Sequence, residues 1–157
     1  ANIAYTDCVA PAFVNGWARF QRPIDDGPNP SYQYAMPGGR MRFQSNAPVV
    51  TIPLRYNGLI TRTDARNFIG HVYVNGSYLQ DFQSPAAVNV VNQTNLVLNM
   101  GSSASRLYEL VLPYADGVEF GGVIVDSAYT VTAASARTGR LMVCLGDSIS
   151  QGFLHRD

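Results

Sequence analysis

Short runs of alternating apolar and polar residues, separated by turn-forming clusters, constrain the fold of this chain more than any other sequence feature. Arg40–Ser45 alternates polar with apolar side chains, and Val49–Tyr56 is rich in β-branched and aromatic residues. Such patterns are typical of strands with one buried face. Up to Ala136, no window shows the apolar repeat at i, i+3, i+4 and i+7 that indicates an amphipathic helix. The sequence therefore predicts an all-β fold, with Pro53 at an edge position or a bulge.

Asn75-Gly76 lies between two strand-like runs and is the clearest hairpin signal in the chain. A type I′ turn needs positive φ at both central residues, which asparagine and glycine tolerate best. Further strands are predicted at Ala87–Val91, Thr94–Met100, Arg106–Leu112, Val118–Val125 and Tyr129–Ala133. Many short strands without intervening helices are typical of a β-sandwich or jelly roll. Residues 22–39, rich in proline and glycine, are expected to form a long loop or a loosely paired edge.

The pattern changes after Ala136. Arg137–Arg140 is polar and predicts a short connector, and Leu141–Leu145 is a continuous apolar run of the kind found in strands covered on both faces. Ser148–Phe153 is expected to begin a helix. We therefore predict a β-sandwich domain over residues 1–136, followed over residues 137–157 by a linker and the first strand and helix start of an incomplete α/β domain.

Composition excludes several classes of function. The 157 residues carry 11 basic and 11 acidic side chains, a formal net charge of zero, so the basic surface of a nucleic-acid-binding protein is not expected. No apolar stretch approaches the ~20 residues that span a bilayer, so no membrane partner is expected. The first residues lack a signal-peptide pattern. The compartment stays open, with a secreted or cell-surface bacterial location among the options.

The sequence predicts neither a metal site nor a cofactor. Cys8 and Cys144 are the only cysteines, and they do not combine with the two histidines at the spacing of a zinc site. Cys144 lies in an apolar run, where a thiol is usually a small buried side chain, so a disulfide is not expected. The loop aspartates Asp25, Asp26 and Asp64 are interpreted as turn-forming residues rather than calcium ligands.

Residues 141–152, LMVCLGDSISQG, resemble the first sequence block of the SGNH (GDSL-type) hydrolase family, an apolar strand followed by Gly-Asp-Ser and a helix start. The resemblance implies that Ser148 is the nucleophile of an ester hydrolase and that its backbone N–H is one oxyanion donor. Asp147 would order the turn, and Gly146 would permit the tight backbone. A serine at a helix N-terminus suits this role, because unpaired N–H groups there stabilise developing negative charge.

The family also takes oxyanion donors from a later glycine and asparagine, and its base from a C-terminal Asp-x-x-His pair. No asparagine and no Asp-x-x-His pair follows Ser148 in this chain. His155 would lie about 10 Å along the predicted helix, outside the ~3 Å reach of a general base, and His71 falls in the predicted hairpin. The chain alone is therefore predicted to be inactive, with a C-terminal catalytic domain as its missing partner. The uncovered strand Leu141–Leu145 then predicts possible self-association.

The segments Arg106–Pro113 and Val118–Asp126 are similar to the N-terminal β-sandwich of some bacterial SGNH hydrolases, which include acetyl-esterases acting on polysaccharides. That sandwich resembles carbohydrate-binding modules, which implies an ester or polysaccharide substrate. The candidate sugar-binding residues are aromatic: Trp17, Tyr32, Tyr34 and Tyr78. Aromatic side chains also fill cores, which is the competing interpretation of each.

Two functions follow from these observations. The leading hypothesis is an N-terminal accessory domain of a serine esterase of SGNH type, whose parent protein hydrolyses acetyl or acyl esters on carbohydrate. The alternative is a non-enzymatic β-sandwich, either carbohydrate-binding or structural, such as a phage-tail or surface module. In that alternative Gly146-Asp147-Ser148 is an incidental turn.

Overall fold

A computed structural model describes residues 3–6, 10–20, 39–56, 69–83, 92–113 and 117–135. These residues form the all-β sandwich that the strand pattern predicts, with two antiparallel sheets packed face to face. The described strands are β1 (Ala4–Thr6), β2 (Ala12–Val14), β3 (Trp17–Arg19), β4 (Arg40–Ser45), β5 (Val49–Tyr56), β6 (Ile69–Val74), β7 (Ser77–Gln83), β8 (Asn92–Asn99), β9 (Arg106–Val111), β10 (Val118–Phe120) and β11 (Val131–Ala133).

One sheet has six strands in the order β1-β4-β9-β6-β7, with β11 also paired to β4. The other has five strands in the order β2-β3-β10-β5-β8. Apart from the β2–β3 and β6–β7 hairpins, neighbouring strands in each sheet come from distant parts of the sequence, as where β4 pairs with β9 and β5 pairs with β10. Each sheet is therefore held together mainly by pairings between strands that are far apart in the sequence.

The core lies between the two sheets and follows the period-two pattern of the strands. Along β5, Val50, Ile52 and Leu54 are buried, while the residues between them lie on the outer face. The six-stranded sheet contributes Phe43 and Tyr108, whose rings stack with centroids 5.0 Å apart and are fully buried. Because alternate residues point away from this core, side chains on the outer faces are the ones available to a ligand.

The predicted Asn75-Gly76 turn is confirmed. Asn75 has φ 51° and Gly76 has φ 81°, and together they join β6 to β7. Asn75 is also held from outside the hairpin, since its Oδ1 accepts a hydrogen bond of 2.9 Å from the backbone N–H of Leu107. The same conformation recurs at Asn15-Gly16, with φ 51° and 83°, in the β2–β3 hairpin that we did not predict.

Pro53 is not on an edge strand, but the predicted bulge lies opposite it. Two residues separate Thr51 from Leu54, whereas three separate their partners Ile124 and Phe120, so the segment after β10 carries one extra residue there. β5 lies inside the five-stranded sheet, paired with β8 along its whole length, Pro53 opposite Asn95. Proline is tolerated there because its carbonyl accepts a 2.9 Å hydrogen bond from Gly121 N–H, a residue already beyond the end of β10. Proline has no backbone N–H group, and the side of Pro53 where that group would lie faces this irregular segment. The sheet therefore loses no regular hydrogen bond at this position.

Several strand boundaries differ from those predicted. β8 begins at Asn92 rather than Thr94, and β11 begins at Val131 rather than Tyr129. β10 ends at Phe120 instead of continuing to Val125, because Gly122 adopts φ 97°, although Ile124 still forms an isolated bridge with Thr51. The predicted strand 87–91, the loop over residues 22–38 and the α/β segment 137–157 lie outside the described residues. The part of the chain that is described contains no helix able to cross a membrane.

Candidate functional site

The structure places the two described aromatic candidates on opposite outer faces of the sandwich. Trp17 lies on the outer face of the five-stranded sheet, because its neighbour Ala18 is buried in the core opposite Phe120. Tyr78 lies on the outer face of the six-stranded sheet, paired with Tyr73. The two residues therefore do not belong to one site, and each is treated with its own neighbours.

Trp17 is half-buried and packs across the backbone of Gly121. A Cβ atom added at Gly121 would lie 3.2 Å from Cζ3 and 3.3 Å from Cη2 of Trp17, so the absence of a side chain makes room for the indole. The guanidinium carbon of Arg55 lies 4.5 Å from the ring centroid of Trp17, a cation–π distance. One face of the indole is therefore occupied by Arg55 and is not free to stack on a sugar ring.

A buried carboxylate connects this tryptophan to a second arginine. Glu119 is completely buried although it lies on the outer face of the sheet. Its Oε1 accepts a hydrogen bond from Nε of Arg19, and its Oε2 accepts hydrogen bonds from Nη2 of Arg55 and, at 2.9 Å, from Nε of Arg55. Arg19 lies on β3, Glu119 on β10 and Arg55 on β5, so the cluster links three strands of the sheet.

Glu119→Ala is expected to lower the free energy of unfolding by about 3 kcal/mol, because removing one partner of a buried ion cluster leaves the other charges unpaired. Urea unfolding followed by the fluorescence of Trp17 measures this change. Asp81→Ala serves as the control, since that carboxylate is 53% exposed and its side-chain contacts should contribute less than about 1 kcal/mol. Equal stabilities of the two variants would contradict the structural role of the cluster.

Tyr78 forms a second cluster with polar residues of β6 and β7. Its side chain is 57% exposed, and its hydroxyl donates a 3.1 Å hydrogen bond to Oδ1 of Asp81. Nδ1 of His71 lies 2.7 Å from the same oxygen. The ring of Tyr73 meets the Tyr78 ring edge-on with centroids 6.0 Å apart. The exposed ring is thus fixed in place by contacts at its hydroxyl and its edge.

Desolvation, followed by the hydrogen bond from its hydroxyl to Asp81, raises the pKa of Tyr78 above its ordinary value. An ordinary phenol is already protonated at neutral pH, so this hydroxyl can donate to Asp81 there. His71 and Asp81 were not among the residues predicted for this site. Their positions opposite each other in the β6–β7 hairpin are the signal that could have identified them, since facing side chains of an antiparallel pair lie close together.

An open apolar groove lies at the end of the β5 strand, lined by Val49, Ile124 and Tyr129 among others. Its one acidic side chain, Asp126, accepts a 2.9 Å hydrogen bond from the N–H of Ala128 within its own turn. Thr51 and Tyr129 are the other polar side chains of a mostly apolar lining. We assign no ligand to this groove.

The remaining predicted site residues lie outside the described residues. They are Tyr32, Tyr34, Gly146, Asp147 and Ser148, together with the apolar run Leu141–Leu145, both cysteines, His155 and the loop aspartates Asp25, Asp26 and Asp64. Within the described ranges, no three His, Cys, Asp or Glu side chains come together in a way that could hold a metal ion.

No protein-family model and no curated protein sequence matches this chain. Among solved structures, the chain is similar to a salicylyl-acyltransferase (SsfX3) from a tetracycline biosynthetic pathway, with a TM-score of 0.64 and 13% identity, covering 87% of this chain and 40% of that one. It is also similar to a GDSL-like lipase from Bacteroides ovatus, with a TM-score of 0.53 and 18% identity, covering 85% of this chain and 44% of that one.

A third similar structure is a family 35 carbohydrate-binding module from an environmental isolate, with a TM-score of 0.45 and 17% identity, covering 80% of this chain and 98% of that one. This chain spans less than half the length of the acyltransferase and of the lipase. At identities of 13% and 18%, the similarities to the acyltransferase and the lipase establish the fold. The chain thus has a β-sandwich fold that is also found within two longer proteins, one an acyltransferase and the other a GDSL-like lipase.

Proposed function

We propose that this chain is the β-sandwich accessory domain of an SGNH-type serine esterase. The proposal rests on two features that occur in one chain, the β-sandwich fold and the Gly-Asp-Ser motif. The last described strand, β11, ends at Ala133, and Gly146-Asp147-Ser148 begins 13 residues later in the sequence. The two longer proteins that share the sandwich fold, covered over 40% and 44% of their lengths, are an acyltransferase and a GDSL-like lipase, and both names denote chemistry at an acyl group.

In the proposed reaction the Oγ of Ser148 attacks the carbonyl carbon of an acyl ester, while its proton passes to a general base outside the predicted helix start. The alcohol leaves, and water then hydrolyses the acyl-serine. The N–H of Ser148 would donate to the oxyanion. The proposed substrate is an acetyl or acyl ester carried on carbohydrate, with the sandwich supporting the catalytic domain or the substrate beside it.

Comparing the gene product that carries this sequence with the isolated 157-residue chain tests the proposal. We expect the gene product to hydrolyse p-nitrophenyl acetate and to release acetate from acetylated xylan. The isolated chain should hydrolyse neither above the buffer rate. A gene product that is folded but inactive on a panel of acyl esters would contradict the proposal, and activity of the isolated chain would contradict its dependence on a further domain.

A second function, glycan binding by the sandwich itself, is favoured by the cluster around Tyr78. Protein sites for neutral sugars combine an exposed, fixed aromatic ring with polar groups at its rim. Here the ring is 57% exposed, and Asp81 and His71 lie beside it. This function is compatible with an accessory domain, and it also stands alone as the non-enzymatic alternative.

Tyr78→Ala is expected to weaken glycan binding about tenfold, because an aromatic anchor of an interface commonly contributes more than about 1 kcal/mol. Isothermal titration with xylan-derived oligosaccharides, preceded by a screen of a glycan panel, measures the affinity. Phe13→Ala is the matched control, since Phe13 is an exposed aromatic residue of the other sheet, 63% exposed. If no glycan binds the wild-type chain, or if both variants bind glycan equally well, the Tyr78 ring does not stack on a bound sugar.

A further inference from the structure

The outer face of the five-stranded sheet presents one row of polar side chains across four strands. Arg55 pairs with Gln93 of β8 on one side and with Glu119 of β10 on the other. The pairing of Phe120 with Ala18 places Arg19 of β3 next to Glu119. The row therefore runs from Arg19 through Glu119 and Arg55 to Gln93, with Asn95 of β8 in the neighbouring row opposite Pro53.

The charges in this row do not balance. Glu119 carries one negative charge, and Arg19 and Arg55 carry two positive charges. Both oxygens of Glu119 are already engaged by Nε of Arg19 and by Nε and Nη2 of Arg55. Among the described residues, each hydrogen bond that these two guanidinium groups make goes to Glu119. Their side chains keep 27% and 20% of their surface exposed, so their remaining N–H groups can be reached from solvent.

We propose that this row is a binding site for an organic monocarboxylate. A guanidinium group offers a planar fork of donors that matches the two oxygens of a carboxylate. Within the protein both arginines already bind a carboxylate, since Arg55 donates Nε and Nη2 to Oε2 of Glu119 and Arg19 donates Nε to Oε1. A ligand with a single negative charge would balance the surplus positive charge. Because Glu119 and Trp17 restrain the arginines, little side-chain entropy is lost on binding.

Two kinds of ligand present such a carboxylate, an acidic sugar and a small free acid. Gln93 is exposed beside Arg55, and Asn95 is exposed next to it; their carboxamides could bond to the hydroxyl groups of an acidic sugar. A small free carboxylate, such as acetate, would use the arginines alone. This chemistry does not depend on the esterase proposal, because it rests only on side chains of the sandwich.

Trp17 is the only tryptophan of the chain, and Arg55 lies 4.5 Å above its ring, so its fluorescence reports directly on this site. We expect glucuronate to change the emission of the 157-residue chain saturably, and its neutral methyl ester to bind at least tenfold more weakly. Acetate tests whether the carboxylate alone is sufficient. Arg19→Gln should lower the affinity for glucuronate about tenfold or more, and added salt should weaken binding.

Arg106→Gln is the matched control, because Arg106 lies on the six-stranded sheet and bonds to backbone carbonyls of Ser102 and Ala104. Its affinity for glucuronate should equal that of the wild type. Thermal unfolding verifies that the Arg19→Gln variant is folded, and the comparison of glucuronate with its methyl ester needs no variant at all. Equal affinities for the acid and the ester, or no saturable response to either glucuronate or acetate, would overturn the proposal.

Discussion

Ser148→Ala is expected to lower kcat for the hydrolysis of p-nitrophenyl acetate by the gene product by about 10⁶-fold, the scale of loss when the nucleophile of a serine hydrolase is removed. The physical reason is that alanine has no oxygen to attack the carbonyl carbon, so the acyl-enzyme route is closed. What activity remains should come from oriented binding and the oxyanion donors alone. Initial rates at saturating substrate measure the effect.

Ser150→Ala is the matched control, because Ser150 belongs to the same sequence block two residues further on and has no proposed role in the reaction. It should leave kcat within about twofold of the wild type, since substitutions away from a catalytic group have small effects. If the Ser148→Ala protein keeps a wild-type rate, the nucleophile lies elsewhere, and Gly146-Asp147-Ser148 is an incidental turn.

Phe43→Ala is expected to lower the free energy of unfolding by about 4 kcal/mol, the second-largest effect that we predict. The ring of Phe43 is fully buried and stacks on Tyr108 at 5.0 Å, so its removal costs both its transfer from water and the cavity left behind. This contact joins two neighbouring strands of the six-stranded sheet, β4 and β9. Urea unfolding monitored by circular dichroism measures the change.

Phe13→Ala tests whether burial, rather than the loss of any aromatic ring, determines that cost. Phe13 is 63% exposed on β2, so its substitution should change the free energy of unfolding by less than about 1 kcal/mol. A loss as large for Phe13→Ala as for Phe43→Ala would show that the exposed ring is covered in solution. A small loss for both would contradict the position of Phe43 in the core.

Much of the fold follows from side-chain alternation. β4 and β5 lie where the period-two pattern predicts them, and the Asn75-Gly76 turn has the predicted positive φ values. The short strands β1, β2 and β3 were missed, because three residues are too few to show alternation. Asn15-Gly16, between β2 and β3, is the same dipeptide as Asn75-Gly76. Its flanking strands have only three residues each, so no alternating pattern on either side identifies it as a hairpin turn.

The sites were less predictable than the fold, for a reason that Glu119 illustrates. Its partners Arg19 and Arg55 are 100 and 64 positions away in sequence, and only the order of strands in the sheet brings them together. The sequence allows two interpretations of Trp17, as a sugar-stacking residue or as a residue covering the core. Its contact with Gly121 and Arg55 gives it a packing role, whereas Tyr78 keeps the exposure expected of a binding residue.

The central proposal, a serine esterase with Ser148 as its nucleophile, is tested most directly by covalent labelling. The gene product is treated with a fluorophosphonate, digested with trypsin and mapped by mass spectrometry. The peptide from Leu141 to Arg156 contains both Ser148 and Ser150, and its fragmentation distinguishes them. We predict a single adduct, on Ser148, formed at the rate at which esterase activity is lost. An adduct on another residue, or loss of activity without modification of Ser148, would contradict the proposal.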